Sequence, residues 1–383
     1  MGRGISYFAS LAAALALAGA PVRGGAAAEP ITIGLVGEMS GANAEMGAYQ
    51  LNGIRLALDE INQAGGVLGR QLALRIEDSQ SSNPGSVLAL STLAEAGNVA
   101  AVIGTIRSTQ ALAMLPTLLK VGIPMIIGGT DYTLTHANNP WLFRARPHDG
   151  DSAKAIADFG VNTLKRRHWV IIHTTETFGI GGKNRLTQAL RAYGVTPVLS
   201  QGFRNNTQDG SFVAEAIKRS GADVLATYIY SPDNVAAFAQ QLQKSRVNLS
   251  WVGSSSVGAM SSVRLGGSAL HGSYAITDFV PEANPQARAF ARKYQEKYGQ
   301  EPDVYSSWAY DATHILALAI GRANSTRPDA IRRAILAIRA YAGVEGTYNY
   351  DSNGDALHGY NIVKNEGGKI VFLKHVDFTA TTP

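Results

Sequence analysis

The sequence predicts an α/β protein made of two doubly wound, Rossmann-like lobes. Short apolar runs typical of buried strands alternate with segments whose apolar residues recur at helical spacing, from Ile31 onward. This alternation pauses at residues 143–147 and then restarts. Two successive series of strand–helix–strand units with right-handed crossovers favour two parallel sheets, each covered by helices.

The first series occupies residues 31–127. Strands are predicted to begin at Ile31 and Leu72 and to cover residues 99–103 and 124–127. The helix after the first strand ends at Gly65-Gly66, and Pro84 marks the start of the next helix. A third helix begins at Ser108, directly after the strand at residues 99–103.

The second series begins beyond Pro147. Its strands are predicted at residues 169–173, 196–203, 224–230 and 249–253, with helices near residues 152–164, 181–193, 211–220 and 232–245. Three long helical patterns follow at residues 287–298, 305–322 and 328–340, and late strands are predicted at residues 347–350, 360–364 and 369–375.

The N-terminal segment has the features of a secretory signal peptide. Arg3 precedes an apolar run over residues 8–18, and small residues follow up to Ala26-Ala27-Ala28. Cleavage is predicted after Ala28, with Ala20 as the alternative, so residues 1–28 are set apart from the fold. The apolar run is too short to span a bilayer, and a chain without cysteine has no residue for lipid attachment behind the signal. We therefore expect a periplasmic protein without a direct membrane anchor.

Charge and motifs exclude several functions. The formal charge of +5 falls to +3 when Arg3 and Arg23 are removed, and the excess is spread along the chain, which argues against a nucleic-acid partner. The sequence has no GxSxG, HExxH or P-loop motif and no cysteine nucleophile, and its eight histidines are scattered. We predict no catalytic residue, no metal ligand and no cofactor, and hence a protein that is not an enzyme.

Polar residues where strands end predict a binding site for a carboxylate. A helix that starts at Ser108 offers unpaired N–H groups, a partial positive charge and a hydroxyl. After the strand at residues 124–127, Gly128 and Gly129 permit close backbone approach, and Thr130 adds a second hydroxyl. The alternative is that Ser108 only begins a helix and that the glycines only form a turn.

The second series contributes aromatic and hydroxyl side chains at equivalent places. Phe178 and Tyr230 offer ring faces to an apolar body or a cation, and Ser254-Ser255-Ser256 follows the strand at residues 249–253. Because ligands of open α/β sheets bind outside the carboxyl ends of the strands, these residues predict a cleft between the lobes.

Several short motifs occur in a characteristic order: IGLVGEMSG at residues 33–41, ALDEIN at 57–62 with Gly65-Gly66, EDSQ at 77–80, AVIG at 101–104 and Phe143-Arg144. In this order the chain resembles the type I periplasmic binding proteins of the leucine/isoleucine/valine family, the solute receptors of ABC importers. The resemblance implies a three-stranded hinge and closure of the lobes around a small-molecule solute. It also implies an N-terminal lobe of residues 29–147 plus 280–347, a C-terminal lobe of residues 148–279 plus 348–383, and an inner-membrane ABC permease as partner.

The resemblance also implies roles for individual residues. Ser108 and Thr130 match positions that hold the carboxylate and amine of the ligand, with backbone help near Gly128, while Phe178 and Tyr230 match aromatic contacts. Asn43 stands where an aromatic side chain often shapes the apolar pocket. The chain departs from the family at the position of a glutamate that binds the α-ammonium group, where it has the serines at 254–256.

This departure leaves the solute open. One interpretation is a branched-chain or related small amino acid, with Asp131, Glu45 or Glu176 replacing the missing glutamate. The other is an aromatic or aliphatic carboxylic acid without an α-amine, whose carboxylate Arg107 would bind with two hydrogen bonds unless its side chain points to solvent. A third interpretation is a ligand-sensing subunit of a regulatory system that uses the same fold.

Overall fold

The computed structural model describes residues 1–2, 28–205 and 211–378. The predicted signal peptide lies almost wholly outside these residues. The predicted fold class is confirmed: two α/β lobes contain one parallel and one mostly parallel sheet. No helix in the described ranges is long and apolar enough to cross a membrane.

The sheet of the N-terminal lobe has five parallel strands in the order β2-β1-β3-β4-β5. These strands are β1 (Ile31–Gly37), β2 (Leu72–Asp78), β3 (Val99–Ile103), β4 (Met125–Ile127) and β5 (Leu142–Arg144). The helices α1 (Ala44–Gln63), α2 (Asn83–Glu95) and α3 (Ser108–Val121) connect them. Buried apolar residues such as Val99–Ile103 fill both faces of the strands, as expected for a parallel sheet covered on both sides.

The sheet of the C-terminal lobe has seven strands in the order β14-β13-β10-β9-β8-β6-β7. They are β6 (Trp169–Thr174), β7 (Leu199–Phe203), β8 (Val224–Tyr228), β9 (Ser250–Gly253), β10 (Tyr274–Thr277), β13 (Gly359–Glu366) and β14 (Lys369–Asp377). β6 to β10 run parallel, whereas β13 and β14 add an antiparallel edge. The helices of this lobe are α4 (Asp149–Asp158), α5 (Thr177–Arg191), α6 (Ser211–Arg219), α7 (Pro232–Lys244), α8 (Ser255–Gly258) and α9 (Met260–Gly266).

Three late helices return to the N-terminal lobe. They are α10 (Pro285–Tyr298), α11 (Val304–Ala323) and α12 (Pro328–Leu336), followed by the short antiparallel pair β11 (Tyr341–Ala342) and β12 (Thr347–Tyr348). α11 packs along α1 at Gly53, where a Cβ atom would lie 2.1 Å from the Ser306 carbonyl oxygen. Glycine is therefore required for the two helices to approach this closely.

The chain passes between the two sheets three times. The first crossing lies between β5 and α4, the second follows β10, and the third lies between β12 and β13. Arg146 and Asp278 join the first two crossings, and Arg144 and Asp355 join the first and the third through a buried ion pair. These links hold the crossings side by side, directly beneath the gap between the lobes.

Candidate functional site

A narrow cavity lies between the lobes, at the ends of strands from both sheets. Its lining residues are Met46, Ile106, Ser108, Thr130, Arg146, Phe178, Tyr230, Ser255, Ser256 and Tyr305. Five of the predicted site residues, Ser108, Thr130, Phe178, Tyr230 and Ser255, are thereby brought together. None of the lining residues is acidic.

The start of α3 supplies hydrogen-bond donors to this cavity. Arg107 precedes the helix and makes no side-chain cap, so the first-turn N–H groups are not used in capping. The Ser108 hydroxyl oxygen accepts a hydrogen bond from the Asp131 amide at 3.1 Å, which leaves its hydrogen free to be donated. Together with the positive end of the helix dipole, these groups suit an anion.

The loop that carries Thr130 is fixed from below by Arg144. This guanidinium donates to the carbonyl oxygens of Gly129 at 3.0 Å and Asp131 at 2.9 Å. The Asp149 amide donates to the Thr130 carbonyl oxygen at 2.8 Å. Because the backbone on both sides of Thr130 is bonded, its side chain is held at the cavity wall.

Gly128 and Gly129 lie beside the cavity rather than in its lining. A Cβ atom at Gly128 would come within 2.5 Å of the Trp308 indole, and one at Gly129 would lie 3.3 Å from the Ser108 Cα atom. The two glycines therefore let the loop pass between the buried Trp308 and the start of α3. They were predicted to bring the backbone close to the ligand, whereas the close approach seen here is to Trp308 and to the start of α3.

The C-terminal lobe contributes two aromatic rings. Phe178 lies in the first turn of α5, and its ring centroid is 6.5 Å from that of Tyr230, edge to face. Glu176 caps this helix, because its carboxylate accepts from the amides of Phe178 at 3.1 Å and Gly179 at 2.9 Å. The positive end of α5 is thus neutralised within the protein, whereas no N-cap side chain bonds to the start of α3.

Arg146 lines the cavity and was missed by the sequence interpretation. Its guanidinium forms a bidentate pair with Asp278, and it donates to the carbonyl oxygen of Gly128 at 3.1 Å and the hydroxyl of Ser255 at 3.0 Å. Burial disfavours the charge, but the Asp278 carboxylate outweighs burial and raises the pKa of Arg146. The only sequence signal was its place between the two strand–helix series, which predicted a boundary and no contact with a ligand.

Ser254, Ser255 and Ser256 stand where the resemblance implies a glutamate, and they bond to one another and to neighbouring groups. The hydroxyls of Ser254 and Ser256 lie 3.0 Å apart, and Ser256 donates to the carbonyl oxygen of Ile229. Since Ser255 accepts from Arg146, its own hydrogen is available as a donor. This wall of the cavity therefore presents hydroxyl groups backed by a cation.

The three carboxylates that could replace that glutamate are engaged elsewhere. Asp131 accepts from the Thr133 amide at 2.8 Å, Glu176 caps α5, and Glu45 pairs with Arg264 at the protein surface. None of the three lines the cavity. A ligand ammonium group would thus find no carboxylate in the cavity wall.

Two further predicted site residues, Arg107 and Asn43, also lie outside the cavity lining, which corrects their assignment. Arg107 donates to the Ser81 carbonyl oxygen at 2.9 Å, and its guanidinium carbon lies 4.7 Å from the centre of the Tyr230 ring. Asn43 precedes α1, and its amide donates to the Ser81 hydroxyl. Met46, one turn further along α1, occupies the wall that Asn43 was predicted to shape.

Comparison with known proteins identifies similar chains. Residues 30–369 match the family model described as periplasmic binding protein. A Leu/Ile/Val-binding protein homologue from Brucella suis is 24% identical over 361 residues, which cover 94% of this chain and 96% of that protein.

Solved structures show the same architecture. A leucine-binding protein from Thermotoga maritima superposes with a TM-score of 0.85 at 24% identity, covering 91% of this chain and 99% of that one. A solute-binding protein from R. palustris in complex with benzoate superposes with a TM-score of 0.82 at 19% identity, covering 91% and 96% of the two chains. At these identities the structural likeness establishes the fold.

Proposed function

The chain belongs to the periplasmic binding protein family, and from that premise we propose that it is the solute receptor of an ABC importer. The solute is a small carboxylic acid held in the cavity between the lobes. Residues from both lobes line that cavity, so a bound solute favours the closed arrangement in proportion to its extra contacts there. The closed form is then recognised by an inner-membrane permease.

The carboxylate of the solute binds at the start of α3. Ser108 supplies a hydroxyl donor, Thr130 adds a second hydroxyl group, and the uncapped first turn supplies N–H groups and a positive dipole end. The body of the solute lies among Phe178, Tyr230 and Met46. Hydrogen bonds to a charged group are stronger than those between neutral groups, so the carboxylate contributes most to orienting the solute in the cavity.

The cavity supports an acid without an α-ammonium group over an amino acid. The observation that carries this conclusion is the composition of the wall: no lining residue is acidic, and the place of the family's glutamate holds Ser255 backed by Arg146. A buried ammonium group without a carboxylate partner costs several kcal/mol. An aromatic or aliphatic carboxylic acid avoids that cost.

A branched-chain amino acid is the second candidate. It is favoured by the names of the Brucella suis and Thermotoga maritima proteins, which are described as binding Leu/Ile/Val and leucine. The R. palustris protein was solved with benzoate, so the fold accepts both classes of acid. Identity near 20% does not carry either ligand to this chain, and the composition of the cavity wall supports the first candidate.

A thermal-shift screen of amino acids and of aromatic and aliphatic acids tests the proposal. A solute at about a hundred times its dissociation constant adds roughly 2.7 kcal/mol to the free energy of unfolding. We expect the melting temperature to rise with one or more acids that lack an amine. A rise with α-amino acids only would favour the second candidate, and no rise with any acid would contradict the proposed solute class.

A further inference from the structure

Two histidines and one aspartate meet where the first and third crossings run side by side. His148 lies between β5 and α4, Asp151 lies in the first turn of α4, and His358 directly precedes β13. Nε2 of His148, one carboxylate oxygen of Asp151 and one ring nitrogen of His358 all lie within 4.8 Å of one another. The fold alone brings them together, because residues 149–357, which include the whole second crossing, separate the two histidines in the sequence.

The atoms that face each other here are buried and have no hydrogen-bond partner. Asp151 Oδ2 lies 3.7 Å from His148 Nε2 and 3.8 Å from His358 Nδ1, beyond hydrogen-bond range. Both Asp151 Oδ2 and His358 Nδ1 are left unpartnered, on side chains that are only 2% and 8% exposed. Buried polar atoms without a partner are rare and costly, so this pair indicates a missing occupant.

We propose that His148, Asp151 and His358 bind a divalent transition-metal ion of the Zn²⁺ class. Imidazole nitrogens and a carboxylate oxygen are ligands that this class accepts, and three protein ligands leave a fourth position for water. Tetrahedral ligands of Zn²⁺ lie about 3.4 Å apart, so the separations of 3.7 and 3.8 Å from Asp151 must shorten by a few tenths of an ångström. The two histidine nitrogens, which lie within 4.8 Å of each other, must also move together.

The contacts around the site determine how its side chains would bind a cation. The other oxygen of Asp151 is held by Lys154 at 3.1 Å, which fixes the carboxylate while leaving Oδ2 free. His148 is 12% exposed and gives the ion a route from solvent. Its Nδ1 accepts from the Asp151 amide at 3.2 Å, so coordination through Nε2 moves the ring proton to Nδ1 and gives up that helix-capping bond.

Metal binding would tie the first crossing to the third. His148 follows the N-terminal sheet directly, and His358 leads into the C-terminal sheet. A bound ion therefore bridges two of the three connections about which the lobes move. Its binding is measured without solute, so the outcome does not depend on what the cavity holds.

The test uses the exported chain without an affinity tag, stripped with EDTA. ZnCl₂ is titrated by calorimetry and CoCl₂ by its visible absorption, which reports ligand geometry. We expect one Zn²⁺ per chain, and binding more than about tenfold weaker in His358→Gln and Asp151→Asn, since even outer-shell substitutions cost this much. His271→Gln removes an exposed histidine of the same lobe and should bind as the wild type does.

Circular dichroism establishes that each variant is folded before its titration. Failure of the wild-type chain to bind one equivalent of Zn²⁺ would overturn the proposal without reference to any variant. Binding that His358→Gln leaves unchanged would also overturn it, because the ion would then sit elsewhere on the chain.

Discussion

Arg146 and Asp278 form a buried bidentate ion pair that joins the first crossing to the second, with Nη2 and Oδ1 3.0 Å apart. The same guanidinium bonds Gly128 in one lobe and Ser255 in the other. One side chain thus connects the hinge, the loop beside Thr130 and the wall where the family's glutamate is absent. The Arg146 guanidinium therefore contacts both the cavity wall and the crossings between the lobes.

Replacement of Arg146 by Met should therefore destabilise the fold strongly. Removing one partner of a buried ion pair leaves the other charge uncompensated and costs about 3–5 kcal/mol. Denaturant unfolding measures the change. Arg75→Met breaks the exposed pair with Glu77, where the arginine is 41% exposed, and should cost less than about 1 kcal/mol. An equal loss of unfolding free energy in the two variants would show that the buried pair contributes no more to stability than the exposed one.

Replacement of Ser108 by Ala should weaken solute binding. The variant loses a hydrogen bond to a charged group, which is worth about 1.5–3 kcal/mol or roughly 10- to 100-fold in affinity. Calorimetry with an acid found in the thermal-shift screen measures the effect. Ser91→Ala removes a hydroxyl that bonds within α2 and should bind normally. Unchanged affinity in Ser108→Ala would remove Ser108 from the site.

Thr109 connects the two lobes directly. Its hydroxyl donates to Glu176 Oε2 at 3.3 Å and accepts from the Thr177 amide at 3.4 Å. Thr109→Val removes both bonds and should weaken solute binding by about fivefold, since one such bond is worth about 1 kcal/mol in the closed state. Thr92→Val, which removes a bond within α2, is the matched control. A loss of affinity equal to that of the control would argue against a closing contact here.

The pH dependence of stability should reflect Asp303, which caps α11. Burial raises the pKa of this carboxyl from near 4 to about 7. The folded state therefore binds a proton that the unfolded state has released, and the free energy of unfolding falls as pH rises from about 4 to about 7. Asp303→Asn stays neutral and keeps an oxygen for the Tyr305 amide, which Asp303 binds at 2.9 Å.

We accordingly expect Asp303→Asn to gain stability relative to the wild type as pH rises, with the two nearly equal at pH about 4. Denaturant unfolding at several pH values measures the difference. Glu95→Gln, at the exposed end of α2, serves as the control. Parallel pH profiles for the wild type and Asp303→Asn would contradict the assignment.

Periodicity predicted the fold because each element repeats a simple pattern. The strand at residues 99–103 was predicted with the bounds observed, and the helix predicted at residues 305–322 is α11, Val304–Ala323. The predicted ends of the elements were wrong where the pattern of apolar residues is ambiguous. The helix predicted at residues 152–164 is α4, Asp149–Asp158, continued by a π-helical turn over Phe159–Thr163.

Residues of the site were predictable only where their position at the end of a strand places them in it. Ser108 and Thr130 were found because they follow strands of one sheet. Arg107 was misassigned because the backbone position does not determine where a long side chain turns, and here it bonds Ser81. Arg146 was missed because its role depends on Asp278, which only the second crossing brings beside it.

The central claim is that the cavity binds a carboxylate and offers no partner to an ammonium group. The direct measurement compares L-leucine with 4-methylpentanoate, which has the same carbon skeleton without the α-amine, by calorimetry on the wild-type chain. An uncompensated buried ammonium group costs several kcal/mol, so we predict that 4-methylpentanoate binds at least about tenfold more tightly. Tighter binding of L-leucine would contradict the account.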